Sequence, residues 1–347
     1  MPLVSASDRV ARGVGLLQLQ PDAGTTEVGA QRAAYRLWHA IEEQPFDAHM
    51  IVKIFDGAEP RDGHAGMQVQ RRSAVCRERN AVGVGQCGGA QEAREPCAAR
   101  RVGLQRIDRA RDEVPIYGSG GFTSYPVERL QAQLGGWARQ GIPRVKLKIG
   151  THPEQDVARV RAAREAVGPQ TELYVDANGA YTRTQALAQA ARFADLGVVW
   201  FEEPVSSDDL DGLRFIRDRA PTGMAIAAGE YGYDLWYFRR MLEAGAVDVQ
   251  QADGSRCGGI TGFLRAGTLV EARSLSLSAH CAPSLHLHAC CAVPNLWPIE
   301  YFHDHVRIER MLFDGAVSPV DGLLHPDLTR PGIGLDFKRK DAEQFAV

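Results

Sequence analysis

Eight ionisable side chains recur along this chain at nearly even intervals: Lys146 with Lys148, Asp176, Glu202, Glu230, Asp253, His280 and Glu300. From Lys148 onward their separations are 28, 26, 28, 23, 27 and 20 residues. Asp176, Glu202 and Glu230 are consecutive members of the series. Brought together they make an all-oxygen cluster, which hard cations such as Mg²⁺ prefer, with positions left open for water or substrate. Without a cation, such carboxylates repel and raise one another's pKa. The plainer alternative is three unrelated acids, each paired with an arginine. Lys146 and Lys148 stand two apart, so on a strand both point to one side. Facing inward, each ammonium disfavours the other's charge and moves one lysine towards a usable base. Facing outward, they are an ordinary solvated pair. Asp253 beside His280 would orient the ring, fix its tautomer and raise its basicity. The alternative is a histidine merely hydrogen-bonded at the end of a strand.

The intervals match one strand plus one helix. Short apolar runs end at or near the ionisable residues: Val114–Tyr117, Arg144–Ile149, Leu173–Asp176, Val198–Glu202, Ala225–Glu230, Val247–Asp253, Leu275–His280 and Ile299–Phe302. Between them lie stretches with helical spacing, such as Val157, Val160, Ala163 and Val167, or Leu187, Ala190, Ala191 and Ala194. Eight such units within about 250 residues predict a closed TIM-type β/α barrel rather than an open sheet. In a barrel the C-terminal strand ends converge on one face, so all eight side chains would share a single mouth.

The bulk numbers exclude several classes. Hydrophobic content of 44%, charged content of 24% and a net charge of -3 are ordinary for a globular protein. That charge gives no field to attract nucleic acid or an anionic membrane. No run reaches the ~20 apolar residues of a membrane span, and the N-terminus lacks the apolar stretch of a secretory signal. Seven cysteines without a CxxC pair read as reduced thiols in a cytoplasm.

The motifs Lys146-Leu-Lys148, Asp176-Ala-Asn178-Gly-Ala-Tyr181, Trp200-Phe-Glu-Glu-Pro204, Ala228-Gly-Glu230, Asp253-Gly-Ser-Arg-Cys-Gly-Gly259 and Ser278-Ala-His280 resemble the mandelate racemase branch of the enolase superfamily. The resemblance covers about residues 112–325. It implies a modified (β/α)7β barrel preceded by an α+β capping domain. It also implies Mg²⁺-dependent removal of the proton α to a carboxylate through an enediolate, giving dehydration of an acid sugar or racemisation or epimerisation of a 2-hydroxy acid. Asp176, Glu202 and Glu230 would bind Mg²⁺, with Glu203 pointing the other way on its strand. Lys148 would be the base on one face of the substrate, and His280, held by Asp253, would serve the other. Lys146 would neutralise the substrate carboxylate, Glu300 would hydrogen-bond the developing enediolate, and Asn178 joins the substrate-binding set. The expected partner is a small-molecule carboxylate, with no nucleic acid and no membrane, and barrels of this branch often form homo-oligomers. Arg256 stands where this branch often has lysine. The muconate cycloisomerase and dipeptide epimerase branches place a lysine at the sixth strand, where this chain has Asp253.

Residues 1–111 break the pattern. They are dense in Arg, Ala and Gly, with few alternating strands and few clean helical faces. They read as an atypical cap, disordered or a frame-shifted reading, and residues 326–347 read as a tail returning toward that cap. An atypical cap opens a second functional reading, an enolase-type barrel with impaired catalysis. Two further rivals are weaker. Gly83-Val-Gly-Gln-Cys-Gly88 matches a dinucleotide-binding GxGxxG, but Arg77-Glu-Arg-Asn-Ala-Val82 before it cannot make the buried strand that motif needs. His286-Leu-His288 and His303-Asp-His305 have the spacing of a barrel metallohydrolase's zinc pair. Both follow the seventh strand rather than lying on the first, and they read as loop or surface histidines.

Overall fold

The computed structural model describes residues 110–344. The expectations placed on residues 1–109, a degenerate cap and a chance GxGxxG, lie outside the described residues. Eight parallel strands alternate with helices: β1 (Val114–Gly120), α1 (Val127–Arg139), β2 (Arg144–Lys148), α2 (Asp156–Val167), β3 (Glu172–Asp176), α3 (Arg183–Ala194), β4 (Val198–Glu202), α4 (Leu210–Arg217), β5 (Ala225–Ala228), α5 (Leu235–Ala244), β6 (Val249–Ala252), α6 (Gly259–Glu271), β7 (Ser276–Ala279), α7 (Pro283–Cys291), β8 (Leu296–Phe302) and α8 (His303–Leu312). Each strand pairs with the next, and β1 also pairs with β8, which closes the barrel. A helix follows the eighth strand as well, one more than the (β/α)7β pattern implies. Among the described residues no helix is long and apolar enough to cross a membrane.

Alternation along each strand sorts the side chains. Val145, Leu147, Leu173, Val175 and Phe201 face outward into the layer shared with the helices, where they are fully buried. Tyr117, Tyr174 and Trp200 fill the interior floor, with the Tyr174 and Trp200 rings stacked at 5.0 Å. Such aromatic pairs add about 1 kcal/mol beyond the area they bury. The register then decides what lies above. Lys146 pairs with Tyr174 and Tyr174 with Trp200; one step higher, Lys148 pairs with Asp176 and Asp176 with Glu202. Polar residues thus form a row directly over an apolar layer, as barrel interiors are filled.

Local signals explain the helix boundaries. Thr182 and Gln185 form a reciprocal capping box at the start of α3, Asp234 accepts the Tyr237 N–H at the start of α5, and Gly245 ends α5 in the left-handed conformation. The buried face of α3 differs from the expected alanine stripe. Ala186, Ala190 and Phe193 are buried, whereas Leu187 is only partly buried and Ala191 is exposed. One Phe buries more apolar area than several alanines and turns the helix towards itself. The histidine pairs also differ from expectation. His286 and His288 are buried on α7, and His303 and His305 open α8 half-buried, so neither pair is on a loop.

After α8 the chain forms β9 (Phe313–Asp314), β10 (Leu323–Leu324), β11 (Asp336–Phe337) and α9 (Arg339–Glu343). β10 pairs antiparallel with the first residues of β1, at the end of the barrel opposite the mouth, and β11 pairs with β9. The tail therefore packs on α8 and the short strand that follows it.

Candidate active site

All eight ionisable residues singled out above lie at the C-terminal mouth, and all are buried. Asp176 and Glu202 are the last residues of β3 and β4. Glu230 lies two residues past β5, and the turn that delivers it requires Gly229. At φ 128°, a Cβ there would sit 1.9 Å from Gln250 Nε2 and 2.4 Å from Gln251 O. One carboxylate oxygen from each of the three acids lies within 4.8 Å of the others. Glu230 Oε2 is buried yet accepts no hydrogen bond. A compact set of hard oxygen donors, one of them unsatisfied, fits a divalent cation such as Mg²⁺ and suits zinc or other softer metals less well.

Both lysines face inward. Lys148 Nζ donates to Asp176 Oδ2 at 2.5 Å. Lys146 Nζ, with no solvent exposure, lies 2.5 Å from Glu202 Oε1, 2.8 Å from Glu300 Oε1 and 3.7 Å from Asp176 Oδ2. The expectation that the pair would depress one another's pKa needs correcting. Burial is the largest single effect and lowers both, and Lys146 does lower Lys148, but the surrounding carboxylates together override this: Asp176, Glu300 and Glu230 for Lys148, and Glu202, Glu300 and Asp176 for Lys146, so both stand well above the ordinary lysine value. The carboxylates split in response. Burial raises Asp176, but Lys148 and Lys146 pull it below the usual range; Glu202 is left high by burial and by Asp176.

Glu203 also departs from expectation. β4 stops at Glu202, and Glu203 takes a φ of 37°. Its carboxyl is buried, and burial followed by repulsion from Glu230 holds its pKa well above the ordinary value, so it feels the charges of the same cluster. Six buried carboxylates (Asp176, Glu202, Glu203, Glu230, Asp253 and Glu300) thus share the mouth with three permanent cations: Lys146, Lys148 and the half-buried Arg256. At an effective dielectric of ~20, two like charges about 4 Å apart repel by about 4 kcal/mol. The imbalance is of the size that a divalent cation relieves.

On the other side of the mouth, His280 Nδ1 lies 2.9 Å from Asp253 Oδ2, and Nε2 lies 3.3 Å from Glu230 Oε2 and 3.7 Å from Glu300 Oε2. Asp253 also accepts the Ser255 N–H at 2.8 Å and its hydroxyl at 2.6 Å. Burial alone would raise the Asp253 pKa, but the hydrogen bond from His280 and the charges around it hold it well below the usual carboxylate range. Asp253 is therefore ionised and orients the ring. Glu300 accepts from Ser119 Oγ at 2.6 Å and from the Cys281 N–H at 3.2 Å. Burial opposes its ionisation most, and Lys146, His280 and Lys148 together override that and hold its pKa well below the ordinary value. Asn178 contributes its backbone N–H to Asp176 Oδ1 at 2.8 Å, from a left-handed φ of 44°.

Three residues outside the eight also shape the site, in roles their place in the sequence did not give. Trp200 Nε1 donates to Glu202 Oε2 at 3.0 Å. Arg256 Nη1 donates to the Glu230 carbonyl at 3.0 Å, and its Nε lies 3.6 Å from Asp253 Oδ2, tying two mouth loops together. His286 supports Asp253 from behind: its Nε2 accepts the Gly254 N–H at 2.7 Å, so Nδ1 carries the proton towards the Cys281 carbonyl, 3.0 Å away. Burial lowers the His286 pKa, in keeping with a neutral ring. Alternation could have flagged Trp200, which stands two residues before Glu202 on the same side of the strand. His305 Nδ1 accepts the Ala282 N–H at 3.2 Å, so one ring of the second His pair is also committed to backbone. No His pair on β1 offers a zinc-hydrolase arrangement.

Comparison with known proteins agrees with this geometry. Residues 129–342 match the family described as Enolase C-terminal domain-like. The chain is 33% identical over 232 residues to a 3,6-anhydro-alpha-L-galactonate cycloisomerase of Streptomyces coelicolor, covering 65% of this chain and 62% of that protein. Among solved structures, a mandelate racemase/muconate lactonizing enzyme-like protein from Rubrobacter xylanophilus superposes with a TM-score of 0.69 at 57% identity, covering 70% of this chain and 68% of that one. L-Talarate dehydratase from Polaromonas sp. JS666, complexed with Mg and L-glucarate, superposes with a TM-score of 0.63 at 30% identity, covering 69% and 66%. The match thus spans less than two thirds of the length of the cycloisomerase and of the dehydratase.

Proposed function

The chain belongs to the Enolase C-terminal domain-like family, and on that footing we propose that it is a Mg²⁺-dependent enzyme removing the proton α to a carboxylate. The products would be those of acid-sugar dehydration or of 2-hydroxy-acid racemisation or epimerisation. The observation that carries this reading is the meeting of three carboxylates on consecutive strands, between two lysines on one flank and an Asp–His pair on the other. Sugar-acid chemistry in the names of two similar proteins, and magnesium with L-glucarate in one, support the substrate class and the metal. We assign catalysis to the barrel, residues 112–325, in a homo-oligomer. Cys257, Cys281 and Cys290, buried as thiols, support a reducing compartment such as the cytoplasm.

Asp176, Glu202 and Glu230 would hold the cation. When bound, it supplies positive charge for the substrate carboxylate and for the second negative charge that proton loss creates. Lys146 neutralises the same carboxylate from below; burial on the Tyr117–Trp200 floor fixes its position and strengthens its field. Lys148 Nζ would accept the α-proton on one face once Asp176, committed to the cation, no longer holds its ammonium charged. His280 Nε2 serves the other, with Asp253 fixing the Nδ1–H tautomer and stabilising the imidazolium. Glu300 would take up a proton from solvent as substrate binds and then donate a hydrogen bond to the developing enediolate. Asn178 lines the entrance from the β3 turn. Returning a proton from His280 gives the epimer; delivering it to a departing β-hydroxyl gives the dehydrated enol, which becomes a 2-keto-3-deoxy acid.

The test is a panel of hexarates, hexonates and small 2-hydroxy acids incubated with the Mg²⁺-loaded protein. 2-Keto acid formation and α-deuterium uptake from D₂O are followed separately. Keto acid from at least one acid sugar, or exchange without elimination, is expected. Neither signal from any α-hydroxy carboxylate would overturn the proposal.

A further inference from the structure

One cysteine sits inside the mouth with no part in this chemistry. Cys281 follows His280, and Cys281 and Ala282 both adopt left-handed φ values, 53° and 39°, as the chain turns from β7 into α7. Such strain in non-glycine residues is held only where the surroundings over-determine it. Its consequence is to turn the thiol back beside the imidazole. Cys281 Sγ lies 3.2 Å from His280 Nε2 and 3.4 Å from Glu300 Oε2, and those two atoms are 3.7 Å apart. All three residues are buried.

We propose that His280 Nε2, Cys281 Sγ and Glu300 Oε2 form a second metal site, selective for a thiophilic divalent cation such as Zn²⁺, whose occupancy blocks the enzyme. The argument is geometric. Zinc stands about 2.3 Å from sulfur and about 2.1 Å from imidazole nitrogen or carboxylate oxygen. Tetrahedral angles then place sulfur about 3.6 Å from nitrogen or oxygen, and nitrogen about 3.4 Å from oxygen. The three separations here fall within about 0.4 Å of those values, so a small side-chain adjustment admits the ion. Nitrogen, sulfur and one oxygen are a borderline-soft set that Mg²⁺ avoids and Zn²⁺ prefers. The three ligands share no residue with the Asp176, Glu202 and Glu230 cluster, so both cations can be held at once. Glu230 Oε2, buried, without a hydrogen bond and 3.3 Å from His280 Nε2, faces the same space. Asp253 on Nδ1 is the outer carboxylate that zinc-bound imidazoles commonly have. Binding releases the thiol proton to solvent. It also ties up the nitrogen that must exchange a proton with substrate, so inhibition competes with the carboxylate substrate.

The test uses the full chain saturated with Mg²⁺ and titrated with Co²⁺ as a spectroscopic stand-in for Zn²⁺. One equivalent of Co²⁺ should give thiolate-to-cobalt charge-transfer absorption in the near ultraviolet, and Zn²⁺ should bleach it. In Cys281→Ser the absorption should vanish, although Cys76, Cys87, Cys97, Cys257, Cys290 and Cys291 remain. Loss of a direct ligand should weaken Zn²⁺ inhibition at least tenfold, since even outer partners of metal ligands cost 10–100-fold. An unchanged melting temperature shows that the variant is folded; if it melts early, Cys281→Ala replaces it. No charge-transfer band in the wild type, a band that survives in Cys281→Ser, or equal Zn²⁺ inhibition of both proteins would overturn the proposal. The inhibition arm rests on the proposed function; the absorption arm does not, so the two can fail separately.

Discussion

His280 Nδ1 lies 2.9 Å from Asp253 Oδ2, joining the ends of two neighbouring strands through a single hydrogen bond that leaves Nε2 turned into the mouth. Lys148 stands three strands away around the closed barrel, by way of β8 and β1. This separation lets the two residues address opposite faces of one carbon. In D₂O, His280→Asn should retain α-proton exchange on the face served by Lys148 while net turnover falls by 10²–10⁴, the usual worth of a positioned acid or base. Lys148→Ala should do the reverse. Asp253→Asn should resemble His280→Asn more mildly, because it mis-orients the ring without removing it. Intact racemisation and elimination in His280→Asn would remove the pair from the chemistry.

Chelation should abolish activity, and Mg²⁺ should restore it. The same ion should raise stability, because it binds only where the folded chain gathers Asp176, Glu202 and Glu230. At a hundred times its dissociation constant the gain is about 2.7 kcal/mol, read as a higher melting temperature. Full activity in excess EDTA would exclude the metal assignment.

Lys146 is the buried charge that the carboxylate cluster leans on, with Glu202 at 2.5 Å and Glu300 at 2.8 Å. Removing one partner of a buried ion pair costs about 3–5 kcal/mol, since the other charge stays buried. Lys146→Met should lose that much in urea unfolding, and saturating Mg²⁺ should recover part of it. A loss below about 1 kcal/mol would mean that Lys146 is not the counter-charge.

Glu309 on α8 is a buried carboxyl outside the mouth, hydrogen-bonded by the Ser284 hydroxyl at 2.7 Å and by the Ser284 N–H at 3.2 Å. Burial raises its pKa to about 7, against these hydrogen bonds. The folded state therefore binds this proton more tightly than the unfolded chain does. The sign follows: between the ordinary carboxyl value and about 7, stability falls as pH rises, and it is unaffected by this group below that window. Glu309→Gln removes the titration. The stability difference between variant and wild type should shift in the variant's favour by about 3 kcal/mol across that window, at about 1.4 kcal/mol per pH unit. A pH-independent difference in urea melts would show that Glu309 titrates normally.

Much of the barrel and its mouth was legible in the sequence because both rest on period. An interval of one βα unit between ionisable residues dictates that they end successive strands, and barrel closure then puts strand ends on one face. Asp176, Glu202 and Lys148 needed nothing more, for they are strand residues whose alternation aims them inward. Glu230, Asp253 and His280 lie just beyond their strands, and there period gives the neighbourhood but not the aim. Gly229 decides it for Glu230, and the Ser255 and His286 hydrogen bonds decide it for the Asp253 loop.

Only the tertiary structure settled the charges and the irregular backbone. Two lysines considered alone lower one another; two lysines among six carboxylates do not, and that balance depends on distances no spacing encodes. The turn of Glu203 out of its strand and of Cys281 onto His280 arises from left-handed residues at the ends of β4 and β7. Any residue but glycine adopts that conformation at a cost, so its own type does not announce it. The chain's local preferences, repeated eight times, determined where chemistry could gather. The closed barrel, by bringing residues far apart in sequence to hydrogen-bond distance, decided which atoms face one another there.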